Sequence, residues 1–239
     1  MREVIVLPDK TAAAEAGAQR LACFLLEAQS LASPVHLALT GGRVGIDLLA
    51  RLRANPLLGA VSWPDVHFWW GDERFVAADL GQRNDLAARR ALLDHLPQPP
   101  GGVHPVAGPG AGLTIDQAAD RYTAELARHR VGFALVLLGV GPDGHVASIF
   151  PGSAQVRDRR APAAFAVTDS PKPPSERVSL TLATINAARE VWLVAVGAGK
   201  RDAVAAALAT PPPAAAPSPA AAPPPAAGAP SPDAAAPSP

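Results

Sequence analysis

Apolar residues along the chain fall into short runs separated by stretches of helical spacing. Residues 4–7 form a short apolar run closed by Pro8 and Asp9, and an alanine-rich helical pattern then extends to about Gln29. Residues 35–39 predict a second strand, ending at Thr40-Gly41-Gly42 and followed by a helix over about 44–53. A third strand over 66–70 runs into Gly71-Asp72-Glu73-Arg74. Helical patterns cover about 84–96 and 115–130, and residues 133–138 read as the most completely buried strand, ending at Gly139. Two more strands are predicted over 177–182 and 191–196, and a last helix over about 200–208. Strands alternating with helices predict a single α/β domain with a doubly wound, mostly parallel sheet. Such sheets bind ligands beyond the carboxyl ends of their strands, which directs attention to four strand ends.

Composition changes this picture in one place. Residues 211–239 hold twelve prolines, twelve alanines, three serines, one glycine and one aspartate. Without large apolar side chains, such a segment cannot offset the entropy cost of ordering. The expected organisation is therefore a folded domain over 1–209 and a disordered Pro/Ala-rich tail over 210–239. Basic and acidic residues balance at 21 each, so neither nucleic acid nor an acidic membrane surface is an expected partner. The amino terminus has too short an apolar run for a signal peptide, and no stretch has the length of a membrane span. The cytoplasm is the expected location. The sequence leaves the oligomeric state open, a monomer included. The single cysteine, Cys23, lies in an apolar helical stretch and is expected to be a buried small hydrophobe.

The strand ends carry the candidate chemistry. In LALTGGRVG, Gly41 and Gly42 open a helix, where backbone N–H groups and the helix dipole favour an anion. In FWWGDERF, Arg74 offers a planar fork to a phosphate, with Asp72 or Glu73 expected to hold the fork. The stretch LLGVGPDGHVASIFPG is the most informative. Gly139, Gly141 and Gly144 surround Asp143 and His145 directly after a buried strand. Glycines there permit close backbone approach to a ligand, and an acid two residues away can orient an imidazole. Lys200 in VGAGK and Arg177 in SERVSL are further basic candidates. The remaining histidines show no His-x-x-x-His or His/Cys spacing, so they are not expected to cluster and no metal is expected.

TGGRVG, WWGDERF with Arg83-Asn84 downstream, LLGVGPDGHVASIFPG, RVSLTLATINAAREVW and VGAGK occur in that order. This set resembles the 6-phosphogluconolactonase family, within the larger group that also contains glucosamine-6-phosphate deaminases. The resemblance covers residues 3–209. It implies a Rossmann-like α/β fold and a small-molecule substrate, the 6-phospho-D-glucono-1,5-lactone, hydrolysed without a cofactor. His145 matches the family's general base and Asp143 its neighbouring acid. Arg74, Arg177 and Lys200 match basic residues around the substrate, and Gly41 and Gly42 the phosphate-side loop. The alternatives are an amino-sugar phosphate deaminase/isomerase and a non-catalytic sugar-phosphate binder. The deaminases carry Asn-Glu-Pro after Asp-Gly-His, where this chain has Ser148-Ile149-Phe150-Pro151. Two departures stand out. Arg43 follows the paired glycines, where the family has a small residue. The Pro/Ala tail stands where the family continues into a further strand and short helix, so a final strand is expected to be missing.

Overall fold

The computed structural model describes residues 3–153 and 162–209. Its centre is a parallel sheet of five strands in the order β4-β2-β1-β5-β8. These are β1 (Val35–Leu39), β2 (Val66–Trp70), β4 (Gly102–Val103), β5 (Phe133–Gly139) and β8 (Glu190–Val194). A side-chain period of two sends alternate residues of each strand to opposite faces. Leu37, Leu39, Phe68, Trp70, Leu135 and Leu137 join one apolar cluster with residues of α1 (Lys10–Leu31), α2 (Gly42–Arg53) and α3 (Asn84–Ala91). Ala38, Trp69, Val136 and Leu138 join the other, with Ile115, Tyr122 and Leu126 of α4 (Ile115–Arg128). A sheet covered on both faces explains why β1 is buried at every position and lacks polar alternation. The expected α/β class, doubly wound and mostly parallel, is the one observed.

Helix ends are set by local chemistry. Asp9 accepts the Ala12 N–H at the start of α1. Thr114 and Gln117 form a reciprocal capping box at the start of α4. The Tyr122 hydroxyl ties α4 to the main chain of Trp70, accepting its N–H at 2.8 Å and donating to its carbonyl at 3.1 Å.

A second, antiparallel sheet of three strands was not expected, although the predicted strand over 177–182 belongs to it. It comprises β3 (Asp72–Arg74), β6 (Ala164–Val167) and β7 (Arg177–Leu180) in the order β3-β7-β6. The Gly71 N–H donates to Leu39 O, and Gly71 O accepts from Leu180 N, both at 2.9 Å, so one residue joins the two sheets. Two short helices, α5 (Leu182–Asn186) and α6 (Arg201–Leu208), flank β8.

Three expectations are corrected. Residues 4–7 form no strand: they pair with nothing in either sheet, and Val4, Ile5 and Val6 are exposed. The edge strands of the parallel sheet are β4 and β8 instead. Cys23 is exposed, because α1 turns Leu21, Ala22, Phe24, Leu25 and Ala28 inward and position 23 outward. The helix from Asn84 ends at Ala91, with one 3-10 turn at Leu93–His95 replacing its last turn. The Pro/Ala tail expected from residue 210 lies outside the described residues. Among the described residues β8 is the edge strand, with Val191 and Leu193 exposed.

Candidate active site

The site lies at the carboxyl ends of β1, β2, β5 and β8, with β3 and β7 packed beside it. After β5 the chain turns tightly: the Gly144 N–H donates to Gly141 O at 3.0 Å, and the Gly141 N–H to His145 O at 2.8 Å. Gly144 has φ +86°, a conformation that favours glycine. At Gly141 a Cβ would come within 2.0 Å of His145 Nδ1 and 2.3 Å of Asp143 Oδ1. Glycine at 141 is therefore what lets the imidazole and the carboxylate close over the loop.

His145 Nδ1 lies 2.6 Å from Asp143 Oδ1. An ionised carboxylate only accepts, so Nδ1 carries the proton and Nε2 presents its lone pair. The His145 ring packs against Phe150 at 4.7 Å between centroids. Desolvation acts to raise the Asp143 pKa. The hydrogen bond from His145, the backbone N–H and the charges of His145 and Lys172 outweigh it and hold this carboxyl below the usual carboxylate value. It is ionised at neutral pH.

The sequence reasoning passed over Lys172. It reaches in from the loop before β7, with Nζ 3.5 Å from Asp143 Oδ1 and 3.2 Å from His145 Nδ1. Because Nδ1 donates to Asp143, the ammonium acts here on the carboxylate, and its contact with the ring is one of proximity. Burial and then the Lys172 charge hold Lys200 below the ordinary lysine value, with Asp143 acting against them. Lys200 thus belongs to the same cluster, in the 3-10 turn that leads into α6.

Asp72 and Arg177 connect this centre to the second sheet. Ser148, three residues after His145, donates its hydroxyl to Asp72 Oδ2 at 2.6 Å. Arg177 Nη1 lies 3.8 Å from the same oxygen. Arg177 is buried and donates to the carbonyls of Pro174 at 3.1 Å and Lys172 at 2.9 Å, so it fixes the loop that carries Lys172. Burial, and then the nearby Arg74 charge, lower its pKa against the attraction of Asp72.

The expected support of Arg74 is corrected. Neither Asp72 nor Glu73 holds its fork; Arg74 Nη1 donates instead to Gln82 O at 2.7 Å and Asn84 Oδ1 at 2.8 Å. The register Asp72↔Ser179 and Arg74↔Arg177 puts Asp72 diagonally across from Arg177, and turns Glu73 to the opposite side. There Glu73 is fully buried and accepts N–H bonds from Arg74, Asn84 and Asp85, each at 2.8 Å. Two of these are the first N–H groups of α3, whose own N-cap residue, Arg83, supplies no side-chain bond. Glu73 therefore caps α3 from a distance.

Gly41 and Gly42 lie at the start of α2, and a Cβ on Gly41 would approach Asn84 Oδ1 to 2.0 Å. Asn84 also donates to Asp72 O at 2.8 Å. One asparagine thus connects the glycine loop, Arg74 and β3. Gly42 has φ +77°, and Arg43 is exposed. The structure brings Gly41, Gly42, Asp72, Arg74, Gly141, Asp143, Gly144, His145, Arg177 and Lys200 into one connected region, together with Asn84, Ser148 and Lys172, which had not been singled out. A cavity of about 480 Å³, lined among others by Arg83, Arg121, Tyr122 and Glu125, includes none of the ten.

The remaining histidines overturn a second expectation. All but His95 cluster: the His36 and His67 rings are 5.0 Å apart, His67 and His104 5.2 Å, and His104 and His129 4.6 Å. Their sequence separation hid this, because the parallel register His36↔His67 and the end of α4 bring them together.

Comparison with known proteins finds relatives over most of the chain. The model of the family described as glucosamine-6-phosphate isomerases/6-phosphogluconolactonase matches residues 8–229. A Streptomyces coelicolor 6-phosphogluconolactonase is 44% identical over 216 residues, covering 86% of this chain and 82% of its own. The Mycobacterium tuberculosis 6-phosphogluconolactonase is 40% identical over 221 residues, covering 89% and 88%. Among solved structures, the 6-phosphogluconolactonase from Trypanosoma cruzi has a TM-score of 0.78 at 29% identity, covering 89% of this chain and 87% of that one. A monomeric glucosamine-6-phosphate deaminase, at 17% identity and a TM-score of 0.72 over 87% of each chain, shares the fold. The chain belongs to the glucosamine-6-phosphate isomerase/6-phosphogluconolactonase family.

Proposed function

We propose that this chain hydrolyses 6-phospho-D-glucono-1,5-lactone to 6-phosphogluconate, the second step of the oxidative pentose phosphate pathway, with His145 as general base. The substrate follows the relatives at 40–44% identity that carry the name 6-phosphogluconolactonase. The observation that carries the mechanism is the 2.6 Å bond from His145 Nδ1 to Asp143, which leaves Nε2 free to take a proton.

In this mechanism His145 Nε2 removes a proton from water as the water oxygen attacks the lactone carbonyl. Asp143 stabilises the resulting imidazolium, and Lys172 helps keep that carboxylate ionised. Charge develops on the carbonyl oxygen, to be met by Arg177 or by backbone N–H groups of the glycine-rich loop other than those of Gly141 and Gly144, which bond within the loop. The ring oxygen leaves with the proton returned by His145. An ester-like carbonyl is already electrophilic, so the step calls on no cofactor. Arg74, Lys200 and the α2 N-terminus at Gly41-Gly42 supply the positive potential for the 6-phosphate. Holding that distant group orients the carbonyl against the base. Where the related deaminases carry Asn-Glu-Pro, this chain has Ile149-Phe150-Pro151, and the Phe150 ring, packed on His145, supplies no acid for ring opening.

Arg74→Ala and Lys200→Ala test the phosphate assignment. Loss of a charge-assisted hydrogen bond costs about 1.5–3 kcal/mol, or roughly ten- to a hundredfold in kcat/KM. We expect that loss on the phosphorylated lactone and little change on gluconolactone, which lacks the phosphate. Equal losses on both substrates contradict the assignment. Release of ammonia from glucosamine 6-phosphate by the wild-type protein would contradict the lactonase reading itself.

A further inference from the structure

We propose that His67, His104 and His129 form a binding site for a zinc-class divalent cation near the amino ends of β1 and β2, separate from the His145 centre. The three side chains come from β2, from the residue after β4 and from the residue that ends α4. One ring nitrogen from each lies within 4.8 Å of the others. Zinc bound by imidazoles at about 2.0–2.1 Å in a tetrahedron sets its ligand nitrogens roughly 3.3 Å apart. His67 Nδ1 and His104 Nε2 are already 3.0 Å apart.

Three observations distinguish this group from histidines that merely pack together. First, His104 Nδ1 lies 2.7 Å from Glu125 Oε1. That bond places the proton on Nδ1 and directs the Nε2 lone pair toward His67, the carboxylate–histidine arrangement that orients metal ligands. Second, Trp69 stacks on His104 at 3.9 Å and 8° between planes, which fixes the ring's orientation. Third, position 102 is glycine, and a Cβ there would lie 2.3 Å from His104 Nε2 and 2.7 Å from His67 Nδ1. A point near both nitrogens is thus left open by the lack of a side chain. Burial, followed by repulsion from His104 and His129, also lowers the His67 pKa, and burial is the main cause lowering that of His104. Both imidazoles are neutral at pH 7, as ligands must be.

Binding replaces the His67–His104 hydrogen bond. The proton on His67 Nδ1 moves to Nε2 through solvent, both imidazoles stay neutral, and no net proton is released. Arg128 Nη2 lies 3.1 Å from His129 Nε2, but the Arg128 side chain is 72% exposed and free to move outward. His36 stays outside the site because its Nδ1 accepts the Trp69 indole N–H at 3.1 Å. Three imidazoles favour zinc, cobalt, nickel or copper over magnesium and calcium. The ion would link β2, β4 and α4, stabilising the fold without entering the lactone reaction.

The test uses the full chain carrying Cys23→Ser, which removes the exposed thiol, after chelator treatment. Equilibrium dialysis against micromolar zinc should give one bound equivalent and a melting temperature raised by several degrees. His129→Ala and His67→Gln, shown folded by circular dichroism, should lose at least tenfold in zinc affinity while retaining lactone hydrolysis. His145→Ala should bind zinc as the parent does. Cobalt(II) should give the intense visible absorption of a low-coordinate site in the parent, which needs no histidine variant to be folded. The proposal is overturned if the parent binds no zinc, if cobalt gives only the weak octahedral spectrum, or if binding follows His145 and ignores His129.

Discussion

His145→Ala is expected to lower kcat by about 10²–10⁴, the usual contribution of a positioned general base, while leaving KM within a few-fold. The imidazole is half-buried and touches Asp143, Phe150 and the Lys172 ammonium. Its removal opens a small space at the surface of a loop whose backbone bonds, Gly141 N–H to His145 O and Gly144 N–H to Gly141 O, do not use the side chain. The loop therefore survives and the effect falls on chemistry. Asp143→Asn gives the companion result. A neutral amide no longer stabilises the imidazolium and can favour the wrong tautomer, so kcat falls in the same direction with the ring still in place. Steady-state kinetics on both variants, with melting temperatures alongside, check this. Wild-type turnover by a folded His145→Ala protein would remove His145 from the mechanism.

Glu73→Ala is expected to produce the largest loss of stability of any single change at the site. Burial raises the pKa of this carboxyl to about 7, against three backbone N–H donors and the Arg83 charge, which act to lower it. Arg83 Nη2 lies 4.0 Å from Glu73 Oε2, and both side chains are almost fully buried. Truncation strands the first N–H groups of α3 and leaves Arg83 with Asp85 as its carboxylate partner, at 2.8 Å. Leaving three buried N–H donors without their acceptor, at roughly 1–3 kcal/mol each, costs about 3–5 kcal/mol in all. For a domain of this size, that lowers the melting temperature by roughly 6–20 °C. Activity should fall with it, because Asn84 at the start of α3 holds Arg74 and approaches Gly41. Glu73→Gln keeps an acceptor and should lose less than half as much. Thermal unfolding of both proteins is the measurement, and an unchanged melting temperature for Glu73→Ala would show that α3 does not depend on this cap.

The contrast between these two residues shows what the sequence carries. Asp143 and His145 could be read from it because they and their glycines lie within five residues, directly after a strand whose apolar run is unmistakable. Glu73 was placed in the correct loop but given the wrong partner. Its role depends on the antiparallel β3–β7 register, and a strand as short as Asp72–Arg74 leaves no period to detect. Lys172 was hidden for a related reason. It lies among prolines and serines that read as plain loop, and bonds from Arg177 to the Lys172 and Pro174 carbonyls, with those of the Ser170 hydroxyl to Lys172, fix the loop that directs it toward Asp143. The histidine group was hidden because its successive members lie 25 to 37 residues apart on separate elements. Chain-local spacing reports ligands that share one helix or turn; it is silent about those that a parallel sheet assembles. The run at 4–7 shows the opposite error, since apolar character alone predicted a strand where the chain pairs with neither sheet.

The most direct test of the central claim is the rate of 6-phosphogluconolactone hydrolysis by the purified full chain. The lactone is generated freshly, and its spontaneous hydrolysis is measured in parallel and subtracted. The account predicts an enzyme-dependent rate proportional to protein concentration and reduced by about 10²–10⁴ in His145→Ala. A folded wild-type chain that leaves the lactone to decay at its spontaneous rate would contradict it.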